Sequence, residues 1–235
     1  MDMGSVIDII KDPVILIAIT MLTFWGATWL HKKTNFPLLN PMLVTIGVLI
    51  AFLKLTGLEY SDYHESGMMI EFWLQPAIVA LGLPLYNELK HIKRQFFSLF
   101  ITEFAGCVVG IVSVVLIAKW LGASPEVICS LAPKSVSTPI AIEITRQLGG
   151  IPALTSAIVV MVGMIGAMTG LKTMEFFRIN HPVSMSLCMG TAAHVMGTNR
   201  IVEYGDRYGA YATLGLILNG LFTAFLAGPV VGLIL

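Results

Sequence analysis

The sequence predicts an all-α polytopic membrane protein, and two observations support this fold class. Of the 235 residues, 56% are hydrophobic and 12% are charged, and the mean hydropathy is +0.84. In a soluble domain about a quarter of the residues are charged. Two runs, 151–171 and 208–235, contain no charged side chain. Each is at least as long as the roughly 20 residues that cross a bilayer as a helix.

The apolar residues divide into about eight segments joined by short loops, so we expect one integral membrane domain over residues 1–235. The loops on one side of the predicted spans contain eight lysines and arginines, and those on the other side contain five. Because cytoplasmic loops carry the excess of these residues, the counts favour an orientation with both termini outside. Prolines interrupt the fifth segment, and the seventh is short and rich in small residues. In chain order, the segments are 13–30, 36–55, 68–86, 96–118, 127–144, 151–171, 183–197 and 208–235.

Composition argues against several classes of function. The net charge is zero, so no basic field indicates a nucleic acid as partner. Cys107, Cys129 and Cys188 are too widely spaced for a disulfide framework or a zinc site. We expect buried thiols, no metal and no cofactor. No arrangement of serine, histidine and aspartate indicates a hydrolase, so the protein is not expected to be an enzyme.

The segment 131–141 is the most informative part of the chain, because it places a lysine, three hydroxyl groups and two prolines inside apolar sequence. Pro133 and Pro139 each remove a backbone donor and clash with the preceding turn, which predicts a broken helix. At membrane depth, freed backbone groups are tolerated only against protein or a water-filled cavity. Lys134 therefore indicates a functional site. A broken helix with one positive charge is suited to holding a small anion.

The polar side chains of this segment have more than one interpretation. Lys134 pairs with a substrate carboxylate, neutralises Glu103 or Glu143, or extends its amino group to a membrane interface. Its distance from both segment ends disfavours the third interpretation. The hydroxyl groups either bind substrate oxygens or satisfy the carbonyl groups that the prolines release; they belong to Ser135, Ser137 and Thr138.

Two acidic residues are candidates for energy coupling. Glu103 lies eight residues into the fourth segment, so its carboxyl group should face the protein interior or water. It is either a proton carrier or a partner of Lys134. Glu143 lies nearer a segment end, where an interfacial carboxylate is the commoner explanation, although coupling to Lys134 stays open.

A second polar cluster covers residues 190–199. His194 either titrates near neutrality and gates transport or forms a structural hydrogen bond, and the structural role is favoured. Thr198 and Asn199 complete the polar part of the cluster. Small residues spaced close to four apart let helices approach closely; they are Gly190, Ala193 and Gly197.

A weak internal repeat adds Pro76 and Ala77 to the candidate site. Residues 76–81 and 133–138 share the pattern Pro-x-x-Val-small-x, and a second proline follows each. Paired proline-interrupted segments are a sequence indication of a transporter binding site. Chance is the competing explanation, and the sequence does not decide whether the repeat is inverted.

Three stretches resemble the LrgB/CidB family of bacterial membrane proteins. The first is LAPKSVSTPIAIEITRQLGGIPALTSAIVVMVGMIGAMTG at 131–170, the second is GTAAHVMGTNRIVE at 190–203, and the third is LQPAIVALGLPLY at 74–86. The resemblance covers essentially the whole chain. It implies a multi-pass protein of the bacterial cell membrane.

The resemblance implies two functions of different classes. The family was first described as antiholins that modulate murein hydrolase export together with a small LrgA/CidA-like membrane protein. Plant relatives resemble plastid glycolate/glycerate translocators, and bacterial pairs are associated with transport of pyruvate and similar carboxylates. The chain shows no fused LrgA-like half and no transit peptide, so the bacterial two-protein form fits better.

The sequence therefore supports a secondary carrier of a small monocarboxylate or hydroxycarboxylate as the first hypothesis. In this hypothesis Lys134 and the neighbouring hydroxyl groups bind the anion, and a proton moves through Glu103 or His194. The partners expected are the anion, an LrgA/CidA-like protein, the lipid bilayer and, as a further candidate, a second copy of the chain. The alternative is a holin/antiholin-type regulator of cell lysis.

Overall fold

The structure, a computed structural model, describes residues 10–34, 39, 41–73, 76, 79–80 and 82–235, and no β-strand occurs in them. The first three helices are α1 (Pro13–Thr34), α2 (Pro41–Thr56) and α3 (Tyr60–Glu71). Two short helices follow, α4 (Gly82–Asn87) and α5 (Leu89–Arg94). The remaining helices are α6 (Phe96–Trp120), α7 (Pro125–Leu131), α8 (Thr138–Gln147), α9 (Pro152–Phe176), α10 (Pro182–Val202) and α11 (Asp206–Ile234).

The helices confirm the all-α class, but the count of about eight membrane segments is not confirmed. Four helices, α1, α6, α9 and α11, are long and apolar enough to cross a membrane. The α2 helix is apolar but has only 16 residues. The fifth predicted segment consists of two short helices, α7 and α8, as the prolines predicted. Part of the third predicted segment, 68–86, lies outside the described residues.

The chain divides into two compact units, residues 1–80 and 81–235. In the first unit α1 packs against α2 and α3. A hydrogen bond of 3.0 Å joins the Thr20 and Tyr63 hydroxyl oxygens, and an ion pair of 3.1 Å joins Lys11 to Asp62. The second unit contains α4 to α11 and every cavity discussed below. A single domain over residues 1–235 stays a prediction.

In the second unit, α6 and α11 run parallel. The Cys107 Sγ atom lies 3.3 Å from the Thr223 Oγ1 atom, and farther along both helices Lys119 Nζ donates to the carbonyl oxygen of Ile234. We call the end at which α6 and α11 begin end A and the opposite end, at which both terminate, end B. These two helices provide the frame against which the broken helices pack.

The α7 and α8 helices form a hairpin that enters from end B and returns to it. From end B, α7 leads to the break at 132–137, where Lys134 Nζ lies 3.4 Å from the carbonyl oxygen of Gly110, near the middle of α6. The α8 helix then runs back beside α11 until Leu148 lies against Gly228. We call α7, residues 132–137 and α8 hairpin 1. Lys134 lies at its tip.

The α10 helix starts from the opposite end. Val183 packs with Leu99, near the start of α6, which places the start of α10 at end A. The short loop 177–181 joins α10 to the end of α9, so these two packed helices run antiparallel. Ala193 of α10 faces Gly166 of α9, where an added Cβ atom would lie 2.5 Å from the alanine methyl group.

The α10 helix folds back on itself at His194. The backbone there has φ 44° and ψ −133°, and φ is positive in few residues other than glycine. Beyond this point Gly197 packs directly against the carbonyl oxygen of Met189, and Ile201 packs against Met174, close to end A. Residues 182–202 therefore form a second hairpin, with its tip at His194, which we call hairpin 2.

The two hairpins belong to two matching halves of opposite direction. The α6 and α9 helices each contain 25 residues, and a hairpin follows each. Both hairpins begin with a proline in the first turn, Pro125 and Pro182, where the missing amide is tolerated. Both are followed by a glycine with positive φ, Gly149 and Gly205. Because α6 and α9 run in opposite directions, the halves are inverted.

This pairing of halves differs from the repeat that the sequence suggested. In the inverted halves, the tip of hairpin 1, which contains Pro133, corresponds to the tip of hairpin 2, which contains His194. The two tips share no proline pattern. Pro76 is helical and belongs to the first unit, and Ala77 lies outside the described residues. The assignment of Pro76 and Ala77 to the candidate site therefore stays a prediction.

A glycine substitution tests the packing of hairpin 2 on α11. A Cβ atom at Gly190 would collide with the carbonyl oxygen of Ala212, so Gly190→Ala should lower the free energy of unfolding by about 1–3 kcal/mol. The matched control is Gly232→Ala on α11, because a Cβ atom there meets nothing within 4 Å. Thermal unfolding in detergent measures both. Equal melting temperatures for the two variants would contradict the packing.

Candidate functional site

The tips of the two hairpins border an inner cavity of about 130 Å³. Glycines of α6 allow the backbone of hairpin 1 to approach that helix, and hydroxyl, amide and thiol groups face the same space. The lining residues are Gly106, Cys107, Gly110, Ile111, Ala132, Lys134, Ser135, Thr191, Ala192, Asn219 and Thr223. The cavity therefore combines one cationic group with neutral polar groups from α6, α11 and both hairpins.

Lys134 is the cationic group of this cavity. Its Nζ atom lies 3.4 Å from the carbonyl oxygen of Gly110 and 3.2 Å from the Ser135 hydroxyl oxygen. Among the described residues, no carboxylate oxygen lies within the 4.0 Å that defines an ion pair with Lys134. An ammonium group has three donors and no acceptor. At least one donor thus remains for a ligand in the cavity.

Asn219 of α11 links the two hairpin tips. Its side-chain amide nitrogen donates to the carbonyl oxygen of Ser135 at 2.9 Å and to that of Thr191 at 3.1 Å. The Asn219 side chain is buried. Carbonyl groups at helix breaks need partners of this kind, since unpaired buried carbonyls destabilise the fold. Asn219 therefore fixes the distance between the two breaks.

An outer cavity of about 460 Å³ adjoins the inner one and extends toward end A. It is bordered by the starts of α6 and α10, from Gln95 and His181 inward to Glu103 and Cys188. Three residues line both cavities and form the wall between them: Gly106, Thr191 and Ala192.

Glu103 lies at this wall and is buried. Its Oε2 atom is 2.6 Å from the Thr191 hydroxyl oxygen, and the same hydroxyl oxygen lies 2.7 Å from the carbonyl oxygen of Leu187. Glu103 forms no ion pair with Lys134 in the described part of the chain. The carboxyl group is therefore held by α10 rather than by the lysine.

His194 is buried at the tip of hairpin 2 but does not line either cavity. Its Nε2 atom lies 3.0 Å from the carbonyl oxygen of Val159, and within the described residues its Nδ1 atom has no hydrogen-bond partner. The Thr198 hydroxyl donates to the His194 carbonyl oxygen at 2.9 Å. This arrangement agrees with the structural role favoured from the sequence.

The structure separates the remaining candidate residues from the inner cavity. Pro133 is fully buried behind the tip of hairpin 1, Ser137 precedes the first residue of α8, Thr138, and Pro139 occupies the first turn of that helix. A proline is tolerated there because the first amides of a helix have no intrahelical partner. The break that Pro133 and Pro139 predicted is thus present, but of the candidate residues in this segment only Lys134 and Ser135 line the cavity.

Glu143 and Asn199 are exposed. Glu143 lies 3.8 Å from Arg146 and accepts a hydrogen bond from Gln147. The interpretation in which Glu143 neutralises Lys134 finds no contact in the structure. The exposed ion pair of Glu143 with Arg146 matches the interfacial carboxylate that the sequence also suggested.

Sequence reasoning missed the contributions of α6 and α11 to the cavity. Asn219 could have been found, because it is the one carboxamide side chain in the uncharged run 208–235. Gly106 and Gly110 gave no such signal among the 22 glycines of the chain. Their importance follows from the approach of hairpin 1, which periodicity does not reveal.

Sequence comparison identifies the family of the chain. The profile of the LrgB-like family matches residues 20–233. The chain belongs to the LrgB-like family. An uncharacterized protein of Haemophilus influenzae is 33% identical over 89% of this chain and 90% of its own length, and the uncharacterized protein YwbG of Bacillus subtilis is 31% identical over 89% and 93%. The antiholin-like protein LrgB of Bacillus subtilis is 30% identical over 95% of this chain and 97% of its own length.

No solved structure matches the chain. The LrgB-like match crosses both compact units, so the family relation includes both hairpins and their supporting helices.

Among the described residues, no group of three or more histidine, cysteine or acidic side chains is placed to hold a metal ion.

Asn219→Ala tests the bridge between the hairpin tips. The substitution leaves two buried carbonyl groups without their donor, and each unpaired group costs about 1–3 kcal/mol. We expect a lower melting temperature for the purified protein. Asn199→Ala, at an exposed amide on hairpin 2, is the control and should change stability by no more than about 0.5 kcal/mol. A normal melting temperature for Asn219→Ala would contradict the bridging role.

Proposed function

We propose that this LrgB-like protein is a secondary carrier of a small monocarboxylate or hydroxycarboxylate, of the pyruvate, glycolate, glycerate or lactate type, in the bacterial cell membrane. The observation that carries the proposal is the Lys134 ammonium group, which lies beside a cavity with hydroxyl and amide groups in its lining and has no carboxylate partner among the described residues. An unpaired cation at membrane depth is costly. A substrate carboxylate supplies the missing opposite charge, and no catalytic step is required.

The size of the inner cavity limits the substrate. A water molecule occupies about 30 Å³ in the liquid, so a cavity of about 130 Å³ has room for a few water-sized groups. A carboxylate with two or three carbon atoms fits this volume, whereas a long acyl chain does not. The Ser135, Thr191 and Thr223 hydroxyl groups and the Asn219 amide also face the cavity. They can bind a keto or hydroxyl oxygen beside the carboxylate.

The meeting of two oppositely directed hairpins supports transport over passive binding. In many carriers, two inverted halves place broken helices at the middle of the membrane, and the substrate binds where the breaks meet. Here the Asn219 amide joins the carbonyl groups of Ser135 and Thr191, one from each hairpin. Movement of either hairpin relative to α11 would change the environment of Lys134.

Hydrogen counting supports a proton on Glu103. The Thr191 hydroxyl has one hydrogen, but its oxygen makes two close contacts, to Glu103 at 2.6 Å and to the Leu187 carbonyl at 2.7 Å. The carbonyl has no hydrogen to contribute. Each contact is a two-centre hydrogen bond when Glu103 is protonated and donates to Thr191, while Thr191 donates to Leu187. We therefore assign Glu103 as the proton carrier, and His194 as a structural residue at the hairpin tip.

Proton coupling would meet an energetic need of the carrier. A negative-inside potential of 100 mV opposes the uptake of each negative charge by roughly 2.3 kcal/mol. A proton carried with a monoanion removes this cost. Besides Glu103, the titratable residues that line the two cavities are Cys107, Lys134, His181 and Cys188.

The second candidate function is a holin/antiholin-type regulator of murein hydrolase export, which the name of the Bacillus subtilis relative favours. In both cases we propose an LrgA/CidA-like membrane protein as partner, and a homo-oligomer is a further arrangement. Purified protein in vesicles, with and without this partner, separates the two functions. Uptake of labelled pyruvate, glycolate or lactate supports the carrier. Absence of uptake under both conditions, with a lysis phenotype in cells, supports the regulator.

Lys134→Met tests the anion site. Methionine keeps most of the stem but removes the charge and its donors, and a hydrogen bond to a charged group contributes about 1.5–3 kcal/mol. Uptake at low substrate concentration should fall by about tenfold to a hundredfold, while the protein still folds. Lys172→Met, which removes an exposed lysine of α9, is the control and should transport normally. Normal uptake by folded Lys134→Met protein would refute the assignment.

Glu103→Gln tests the proton carrier. A carboxamide keeps a donor toward Thr191 but cannot take up or release a proton. Uptake driven by an imposed pH gradient should be lost, while exchange of labelled for unlabelled substrate at equal pH persists. The infrared carbonyl band of a protonated carboxyl group should also disappear. This coupling would be refuted if uptake by the Glu103→Gln protein still followed the pH gradient. It would also be refuted if uptake by the wild-type protein followed an imposed sodium gradient instead.

A further inference from the structure

The outer cavity has the position and chemistry of an access route to the inner cavity. It opens toward end A, beside the starts of α6 and α10, and shares the wall Gly106, Thr191 and Ala192 with the inner cavity. The α5 helix, which precedes α6 directly, carries basic residues that attract anions, among them Lys93 and Arg94. The outer cavity therefore leads from end A to the three residues that separate it from the cavity beside Lys134.

The inverted halves identify the corresponding place at end B. Counted from the first residue of each helix, Leu99 on α6 and Thr155 on α9 are both fourth. Counted from the start of each hairpin, Leu187 and Ser130 are both sixth, and Thr191 and Lys134 are both tenth. Leu99 and Leu187 line the outer cavity at end A. Thr155 and Ser130 should therefore border an equivalent passage at end B.

At end B this passage is closed by a cluster of hydroxyl groups. The Thr155 hydroxyl oxygen lies 3.1 Å from the carbonyl oxygen of Ser130 and 2.9 Å from the Thr145 hydroxyl oxygen. The Ser130 hydroxyl accepts a hydrogen bond of 2.7 Å from the amide of Ile151. All three hydroxyl side chains have no exposed surface. At end A the equivalent leucines belong to one buried apolar cluster and also line the outer cavity. At end B the equivalent positions are hydrogen-bonded together.

We propose that Ser130, Thr145 and Thr155 form the closed gate of a second access route, and that the structure shows the carrier open toward end A and closed toward end B. Separation of hairpin 1 from the start of α9 opens the gate and brings Lys134 into contact with end B. Hydroxyl groups suit this role, because water can replace their hydrogen bonds when the gate opens, whereas a packed apolar contact would expose hydrophobic surface. The inference rests on the carrier function proposed above.

A reversible cross-link tests the gate. The variant Thr145→Cys/Thr155→Cys places two thiols where the hydroxyl oxygens are 2.9 Å apart, and Cys129→Ala removes the neighbouring native thiol. Copper phenanthroline oxidises the pair to a disulfide, and dithiothreitol reduces it again. Oxidation should stop uptake in vesicles, and reduction should restore it. Cys188 in the outer cavity should react equally fast with a charged methanethiosulfonate in the oxidised and in the reduced protein.

The controls keep the gate and the carrier function distinguishable. Uptake by the reduced variant reports the carrier function, and the difference between the oxidised and reduced states of the same protein reports the gate. Cys188→Ala in the same background identifies the label on Cys188. Unchanged uptake after complete cross-linking would overturn the gate, and so would loss of Cys188 reactivity on cross-linking.

A labelling experiment covers the case in which the double variant fails to fold. Thr155→Cys in a Cys188→Ala background should react slowly with the charged methanethiosulfonate at rest and faster with saturating pyruvate, glycolate or lactate. Leu121→Cys, at an exposed position just after α6 at end B, is the matched control and should not respond to substrate. Equal labelling of Thr155→Cys with and without each substrate, in protein that transports it, would overturn the proposal.

Discussion

The pair of hydrogen bonds from Asn219 is the interaction on which the arrangement of the second unit depends. The tip of hairpin 1 lies beside the middle of α6, a helix long and apolar enough to cross a membrane, and backbone carbonyl groups in such a setting cannot rely on bulk water for hydrogen bonds. One amide group serves a carbonyl of Ser135 and a carbonyl of Thr191, so the two tips are held at one level of α11. The position of Lys134 beside the inner cavity follows from this anchoring, and so does the wall that separates the inner cavity from the outer one.

Small residues make this anchoring geometrically feasible. Gly190 permits contact between hairpin 2 and the backbone of α11. Gly197 permits the second helical arm of hairpin 2, which follows His194, to contact Met189. The turn requires a strained backbone conformation at His194, and such conformations cost of order 1–3 kcal/mol in other proteins. The surrounding contacts, including the hydrogen bond from Thr198 to the His194 carbonyl, hold it in place. A strained tip held by neighbours is typical of functional sites.

The sequence predicted the helical class and the break in hairpin 1, since both depend on local chemistry: apolar length, and prolines that cannot continue a helix. It did not predict the break at His194, because no proline or glycine occupies that position and the turn depends on contacts with α9 and α11. The predicted cavity residues Lys134 and Ser135 were identifiable from charge and hydroxyl content at membrane depth. Asn219 and Gly106 come from other helices, and only the tertiary arrangement shows their role.

The difference between the two ends of the molecule connects the fold to the carrier function proposed above. Equivalent positions of the inverted halves are buried leucines beside the outer cavity at end A, but hydrogen-bonded hydroxyl groups at end B. In the proposed carrier, exchanging the roles of the two inverted halves gives a second arrangement that is open toward end B. A substrate that contacts both tips from the inner cavity is compatible with either arrangement. Binding at the tips and opening at only one end at a time are together sufficient for carriage across a membrane.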